Sequence, residues 1–194
     1  MSLVFHTERL TLKPISASDI DIALELFTDP QVMEFLWPVE TEQEVRNSME
    51  KSMRRAADGA IGVWTVADQD SGEKFGTSAL LPLPIVEDDT NWDLISESHP
   101  IDYEIEIGYI LKPDAWGKGI ATEAAQGIVK FGFEHIATDE ICAVISDRNE
   151  RSRNVLLKAG FTEIGLRKAY NTLCPGFKIS RHQWEQRMFE KDNQ

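Results

Sequence analysis

Apolar residues along the chain recur at period two in some stretches and at helical spacing in others, and this alternation sketches a set of strands and helices. Glu8 to Pro14 alternates apolar and polar residues and ends on proline, which predicts a strand. Ser16 followed by Asp19 forms a helix-start pattern, and Ile20, Ala23, Leu24 and Phe27 repeat at helical spacing to about Thr28. Thr41 with Glu44 repeats that start pattern ahead of a polar helix carrying Val45, Met49 and Met53. Ile61 to Asp68 and Lys74 to Leu81, separated by the turn-forming Gln69-Asp70-Ser71-Gly72, predict a hairpin.

Pro82 to Pro100 contains Pro84 and the acidic run Glu87, Asp88 and Asp89, and reads as a long loop or insertion. In the next strand Tyr103, Ile105, Ile107 and Tyr109 take one face and Glu104 and Glu106 the other, as in a half-buried strand. Ala121, Ala124, Ala125 and Ile128 follow helical spacing, and Ile141 to Ile145 is a short apolar run suited to a central strand. Glu150 to Ala159 predicts a short helix stopped by Gly160, and Phe161 to Tyr170 and Phe177 to Gln183 predict two final strands. The class is α/β or α+β with a mixed sheet. Without a repeat, a low-complexity tract or a linker, a single domain over residues 1–194 is expected, with an insertion near 82–100.

Composition narrows the partners. A hydrophobic content of 42% supports a core, and a net charge of −13 argues against a binder of nucleic-acid phosphates. The acidity favours cationic partners or simply maintains solubility. Cys142 and Cys174 give no disulfide framework, and His6, His99, His135 and His182 lack metal-ligand spacing, so no metal is expected. No apolar stretch is long enough to span a bilayer or serve as a signal peptide, so a soluble, cytoplasmic protein is expected, with a homodimer left open.

The candidate chemistry lies between the strand ending near Leu111 and the helix starting near Thr122. There Trp116-Gly117-Lys118-Gly119-Ile120-Ala121 brings backbone N–H groups and a helix N-terminus together without side-chain obstruction, an anion site. The phosphate-loop pattern GxxxxGK[ST] is absent, and Thr122 stands where a dinucleotide fingerprint needs a third small residue.

This loop resembles the Q/R-x-x-G-x-G/A signature of the GNAT superfamily of N-acyltransferases, with Gly119 and Ala121 at the small positions. Trp116 departs from the usual Gln or Arg and resembles the ribosomal-protein N-terminal acetyltransferase-like branch. Thr7-Glu8-Arg9-Leu10, Phe75-Gly76-Thr77, Glu106-Ile107-Gly108-Tyr109, Asn149-x-x-Ser152 and Lys158-x-Gly160-Phe161 extend the likeness over nearly the whole chain. The resemblance implies a largely antiparallel sheet with two splayed strands, flanked by helices. It also implies acetyl-CoA as cosubstrate, its pantetheine held by backbone groups of Tyr109, Ile110 and Leu111. Trp116 to Thr122 would wrap the pyrophosphate, and Asn149, Ser152 and Asn154 would touch the cosubstrate from the following helix.

Amine acetylation needs a proton acceptor, an oxyanion donor and support for the leaving thiolate. Glu104 or Glu106 could take the amine proton, directly or through water, with Glu106 preferred; either could equally be a solvated or ion-paired strand residue. By resemblance the Leu111 N–H is the oxyanion donor. Many relatives carry a tyrosine seven residues after the equivalent of Asn149, where this chain has Leu156, so Ser152, one turn earlier, is the candidate acid. Trp37, Trp64 or Trp92 could line an acceptor pocket, Tyr170 reads as core or groove wall, and Glu123 as a complement to the helix dipole. The expected function is an N-acetyltransferase acting on a protein N-terminus or a small cationic amine. A non-catalytic acyl-CoA-binding module and a nucleotide-binding oxidoreductase are the alternatives.

Overall fold

A computed structural model describes residues 2–192, so the expected domain over 1–194 runs past the described residues at both ends. Eight strands form one sheet: β1 (Phe5–His6), β2 (Leu10–Pro14), β3 (Gly62–Asp68), β4 (Lys74–Pro82), β5 (Ile105–Leu111), β6 (Glu140–Val144), β7 (Thr162–Ala169) and β8 (Thr172–Ser180). The helices are α1 (Ile20–Phe27), α2 (Pro30–Met33), α3 (Glu42–Ser52), α4 (Ile120–His135), α5 (Glu150–Ala159) and α6 (Arg181–Asp192). Strand order is β1-β2-β3-β4-β5-β6-β8-β7. All neighbours run antiparallel except β5 and β6, which are parallel and pair only at Glu106–Cys142. The expected class, mixed and mostly antiparallel, is the one observed.

Local signals account for several boundaries. Thr41 and Glu44 form the expected reciprocal cap of α3, and Gly160 closes α5 in the left-handed conformation at φ 106°. Three elements lie outside the expectation: β1, the single turn of α2, and α6, which takes Arg181 to Gln183 out of the last predicted strand. Tertiary contacts fix α6. The Arg181 guanidinium donates to the carbonyls of Phe133, Ile136 and Thr138, satisfying the end of α4, and Trp184 packs on Phe133 with ring centroids 5.4 Å apart.

The sheet is covered on both sides. Ala79 of β4 packs with Ile15, Ala23, Val45, Met49 and Val63 beneath α1 and α3, with Leu81 against the same cluster. Leu80 and Ile107 join the main core with Ala124, Ile128 and Leu156 of α4 and α5. Paired residues share a face, so Leu81–Glu106 and Ala79–Gly108 put Glu106 and Gly108 on the α1/α3 side. Leu80–Ile107 and Ser78–Tyr109 put Tyr109 on the α4/α5 side. The half-buried strand expected here is therefore buried on both faces, and Glu106 is only 5% exposed. No helix among the described residues is long and apolar enough to cross a membrane.

Candidate active site

Backbone groups alternate in direction along a strand, and two bonds set the phase in β5. Leu83 N–H donates to Glu104 O, and Lys112 N–H to Phe75 O, so even-numbered residues address β4. Odd-numbered residues address the β6 side, where Cys142 Sγ donates to Ile105 O. Since β5 and β6 pair only at Glu106–Cys142, the Tyr109 and Leu111 N–H groups face the gap that opens beyond it. Ile110, being even-numbered, addresses β4. Its carbonyl lies so close to Gly76 that a Cβ there would stand 2.0 Å from it, and its side chain packs against the cluster of Ile22, Leu26, Val32 and Met33.

At the open end of the gap, Pro113–Ala115 forms a short 3-10 turn, followed by Trp116, Gly117 at φ 72° and Gly119 at φ 78°, the residue that starts α4. Both positive φ values lie in the left-handed region that favours glycine. The first N–H groups of α4, on Ile120, Ala121 and Thr122, have no acceptor in their own helix and stand at its positive end. Trp116 Nε1 donates to Leu111 O at 2.7 Å, and the Arg151 guanidinium lies 5.0 Å from the indole centroid. The tryptophan thus clamps the loop to the strand end, and Arg151 joins Lys118 as a cation near the loop.

Glu123 anchors this loop from behind. It accepts hydrogen bonds from Thr7 Oγ1 at 2.6 Å and from Arg9 N and Nε at 2.7 Å each, while Arg9 Nη1 holds Lys118 O at 3.1 Å. Burial would raise its pKa, but these donors hold the carboxyl below the usual range. Its role is structural, as expected.

From α5, Asn149 caps the helix by accepting from Ser152 N at 3.0 Å, which leaves its amide N–H groups for a ligand. Asn154 is exposed on α5 and donates to Glu150 O in its own helix. Ser152 Oγ lies 2.8 Å from the Tyr109 hydroxyl, which also donates to Ser152 O at 3.2 Å. Leu156, at 1% exposure, is core. Sequence reasoning found the serine and missed its phenol partner, because their separation of 43 residues is closed only by packing α5 on the sheet.

On the other face Glu106 accepts a hydrogen bond from the Tyr170 hydroxyl. Burial pushes its pKa up to about 8, with Tyr170 and the more distant Arg167 charge opposing too weakly to restore the usual value. Arg167 is committed elsewhere, gripping both oxygens of Glu104 at 3.0 and 2.6 Å. That pairing removes Glu104 from candidacy as the base. Leu83, at the start of the predicted insertion, packs with Cys142, Ala169 and Tyr170, and Tyr170 N–H donates to Pro84 O. The 83–104 segment therefore packs against the Glu106 face. Trp64 is fully buried, with its N–H on Leu3 O, and cannot line a pocket; Trp37 is 45% exposed and Trp92 half-buried.

The described residues contain no group of three or more His, Cys, Asp or Glu placed to hold a metal ion. Cys142 is a poor nucleophile, since burial and the Glu106 charge push its thiol pKa up.

Known proteins resemble this chain in sequence and in fold. The family model described as Acetyltransferase (GNAT) domain matches residues 9–162. An uncharacterized N-acetyltransferase of Bacillus licheniformis is 25% identical over 167 residues, covering 85% of each chain. The FsC-acetyl coenzyme A-N(2)-transacetylase of Aspergillus fumigatus is 27% identical over 190 residues, 92% of this chain and 77% of its own. The crystal structure of a spermidine N-acetyltransferase from Vibrio cholerae, in complex with CoA and spermine, has the same fold. It aligns at TM-score 0.69 and 17% identity over 92% of this chain and 99% of that one.

Proposed function

The chain belongs to the GNAT acetyltransferase family and is an acetyl-CoA-dependent N-acetyltransferase, and from that premise we propose that its acceptor is a small cationic amine, activated at Glu106. One observation carries this reading: Glu106 and the Tyr109–Ser152 pair stand on opposite faces of the sheet beside the single gap between β5 and β6. Acceptor and cosubstrate then arrive from opposite sides and meet in the gap. The overall charge of −13 favours a cationic acceptor. The 83–104 segment, which we read as part of one domain, covers the acceptor side closely enough to favour a small molecule.

The geometry fits acetyl-CoA. Leu111 offers its gap-facing N–H group to pantetheine, and the Gly117–Thr122 loop with the α4 N-terminus, Lys118 and Arg151 suits the phosphates. Acetyl-CoA supplies an activated thioester. An alkyl amine with a pKa near 10 reaches the site protonated, so ionised Glu106 takes the proton and the freed lone pair attacks the carbonyl carbon. The carbon–sulfur bond then breaks, and the surplus proton on the nitrogen passes to the departing sulfur, leaving the amide and the CoA thiol. Five residues separate Glu106 from Leu111, roughly 16 Å of strand, so proton transfer to Glu106 passes through water. In this reading the Tyr109 N–H, nearer Glu106, takes the oxyanion role expected of Leu111. Burial pushes the Tyr109 hydroxyl pKa up, so the phenol supports Ser152 as a hydrogen-bond donor to the departing thiolate without ionising. The raised Cys142 thiol pKa supports direct attack without an acetyl-enzyme.

The test is an acceptor screen of polyamines, aminoglycosides and peptides with free N-termini, read by mass spectrometry as acetylated product. Acetylation of the small amines in preference to the peptides is the expected result. Preference for the peptides would overturn the acceptor class. Saturable acetyl-CoA binding with no acetylated amine would instead favour a non-catalytic acyl-CoA-binding module.

A further inference from the structure

Tyr170 and Asn171 form the two-residue turn joining β7 and β8, with φ of 49° and 54°. Such turns favour Asn and Gly, because left-handed backbone brings Cβ against the following carbonyl. Asn171 suits its position; a bulky aromatic at Tyr170 does not, and such outliers persist where the surroundings hold them in place. Here the surroundings do so. The ring packs on Leu83, Cys142 and Ala169, the backbone N–H is held by Pro84 O, and the hydroxyl donates to Glu106 Oε1. The Tyr170 bond goes to Oε1, and Glu106 Oε2 accepts none of the side-chain hydrogen bonds among the described residues.

We propose that Tyr170 is the positioning residue of the active site, its hydroxyl fixing one Glu106 oxygen so that the other stays free for the acceptor's proton. This rests on the reading of Glu106 as base. The other titratable or charged groups around the carboxyl are Cys142 on β6, Cys174 on β8, and Arg167 on β7 with its ion-pair partner Glu104 ahead of β5; Asp89 of the covering segment acts on the Tyr170 hydroxyl. None donates a hydrogen bond to Glu106. Tyr170 alone among them opposes the burial of the charge by direct bonding, so its loss makes ionisation harder.

The experiment follows the carboxyl itself. Protein labelled with 13C at the glutamate carboxyl is titrated by NMR, with Glu106→Gln assigning the resonance. In Tyr170→Phe, which keeps the ring packing, the Glu106 midpoint is expected to rise by about one pH unit or more; an unchanged midpoint overturns the proposal. Should Tyr170→Phe not fold, Asn171→Gly/Tyr170→Phe gives the same readout, the glycine relieving the turn. A second measurement uses the amine acetylated in the acceptor screen. The deficit of Tyr170→Phe in kcat should be at least tenfold at pH 7 and shrink as pH rises, with the KM for acetyl-CoA unchanged. A deficit independent of pH also overturns positioning. Wild-type turnover by Glu106→Gln, in contrast, removes the base assignment while leaving the midpoint result standing.

Discussion

Asp19 and Glu106 are both withdrawn from solvent, at 0% and 5% exposure, yet their surroundings drive them in opposite directions. At Asp19 burial would raise the pKa, but Lys74 and Lys13, each 3.0 Å from Oδ1, and the Ser16 N–H and hydroxyl outweigh it and hold the group at about 2. At Glu106 burial wins, because one neutral hydroxyl and a guanidinium already gripping Glu104 do not compensate the lost hydration, and the pKa stands at about 8. A buried carboxylate whose charge is matched fastens structure; here it ties α1 to β2 and β4. One whose charge is left unmatched beside a gap exchanges protons near neutrality, which suits a base.

The largest test of this contrast is Glu106→Gln. Acetyl transfer should fall by roughly 10²–10⁴-fold with no loss of thermal stability, measured by thiol release and melting; undiminished turnover breaks the comparison. Asp19→Asn should do the reverse. Denaturant unfolding should show a loss of about 1–3 kcal/mol, less than for a stranded buried charge because Lys13 and Lys74 are partly exposed and can rehydrate. Turnover per folded molecule should stay unchanged.

The two groups also bend the pH–stability curve at opposite ends. Asp19, with its pKa lowered from 3.8 to about 2, contributes stability that is present above 3.8 and lost as pH falls through about 2. Glu106, raised from 4.5 to about 8, contributes stability that is present below 4.5 and lost as pH rises through about 8. Its slope is at most about 1.4 kcal/mol per pH unit, and unfolding of Glu106→Gln should show the alkaline fall flattened. Activity should rise over the interval in which Glu106 destabilises the fold. The smallest change expected is from Ser152→Ala, which touches neither carboxylate. It should lower kcat by roughly tenfold or less, the worth of one neutral hydrogen bond, with acetyl-CoA affinity nearly intact by calorimetry.

Legibility in the sequence followed the range of the interactions. The α3 capping box, the Gly160 helix stop and the glycines before α4 are signals confined to a few residues, and each could be read directly. The Glu106 site was half legible. Alternation located the glutamate, but not that its face is covered, since Leu83, Tyr170 and Cys142 reach it from three separate parts of the chain. The backbone direction of Ile110 was illegible for a comparable reason: the side of a strand that its backbone addresses depends on ladder phase, which Lys112 and Phe75 set across the sheet.

By itself the sequence determined the periodicity of most elements, the glycine-bearing loop ahead of α4 and the family, because spacing, glycine placement and capping act locally. The sequence preferred Glu106 to Glu104 as candidate base, and the tertiary structure supplied the physical ground, by giving Glu104 to Arg167 and leaving Glu106 buried with Tyr170. The tertiary structure alone decided that Tyr109 meets Ser152. Desolvation and charge pairing depend on what surrounds a group in space, and neighbours brought from 43 to 64 residues away leave no mark on the local pattern.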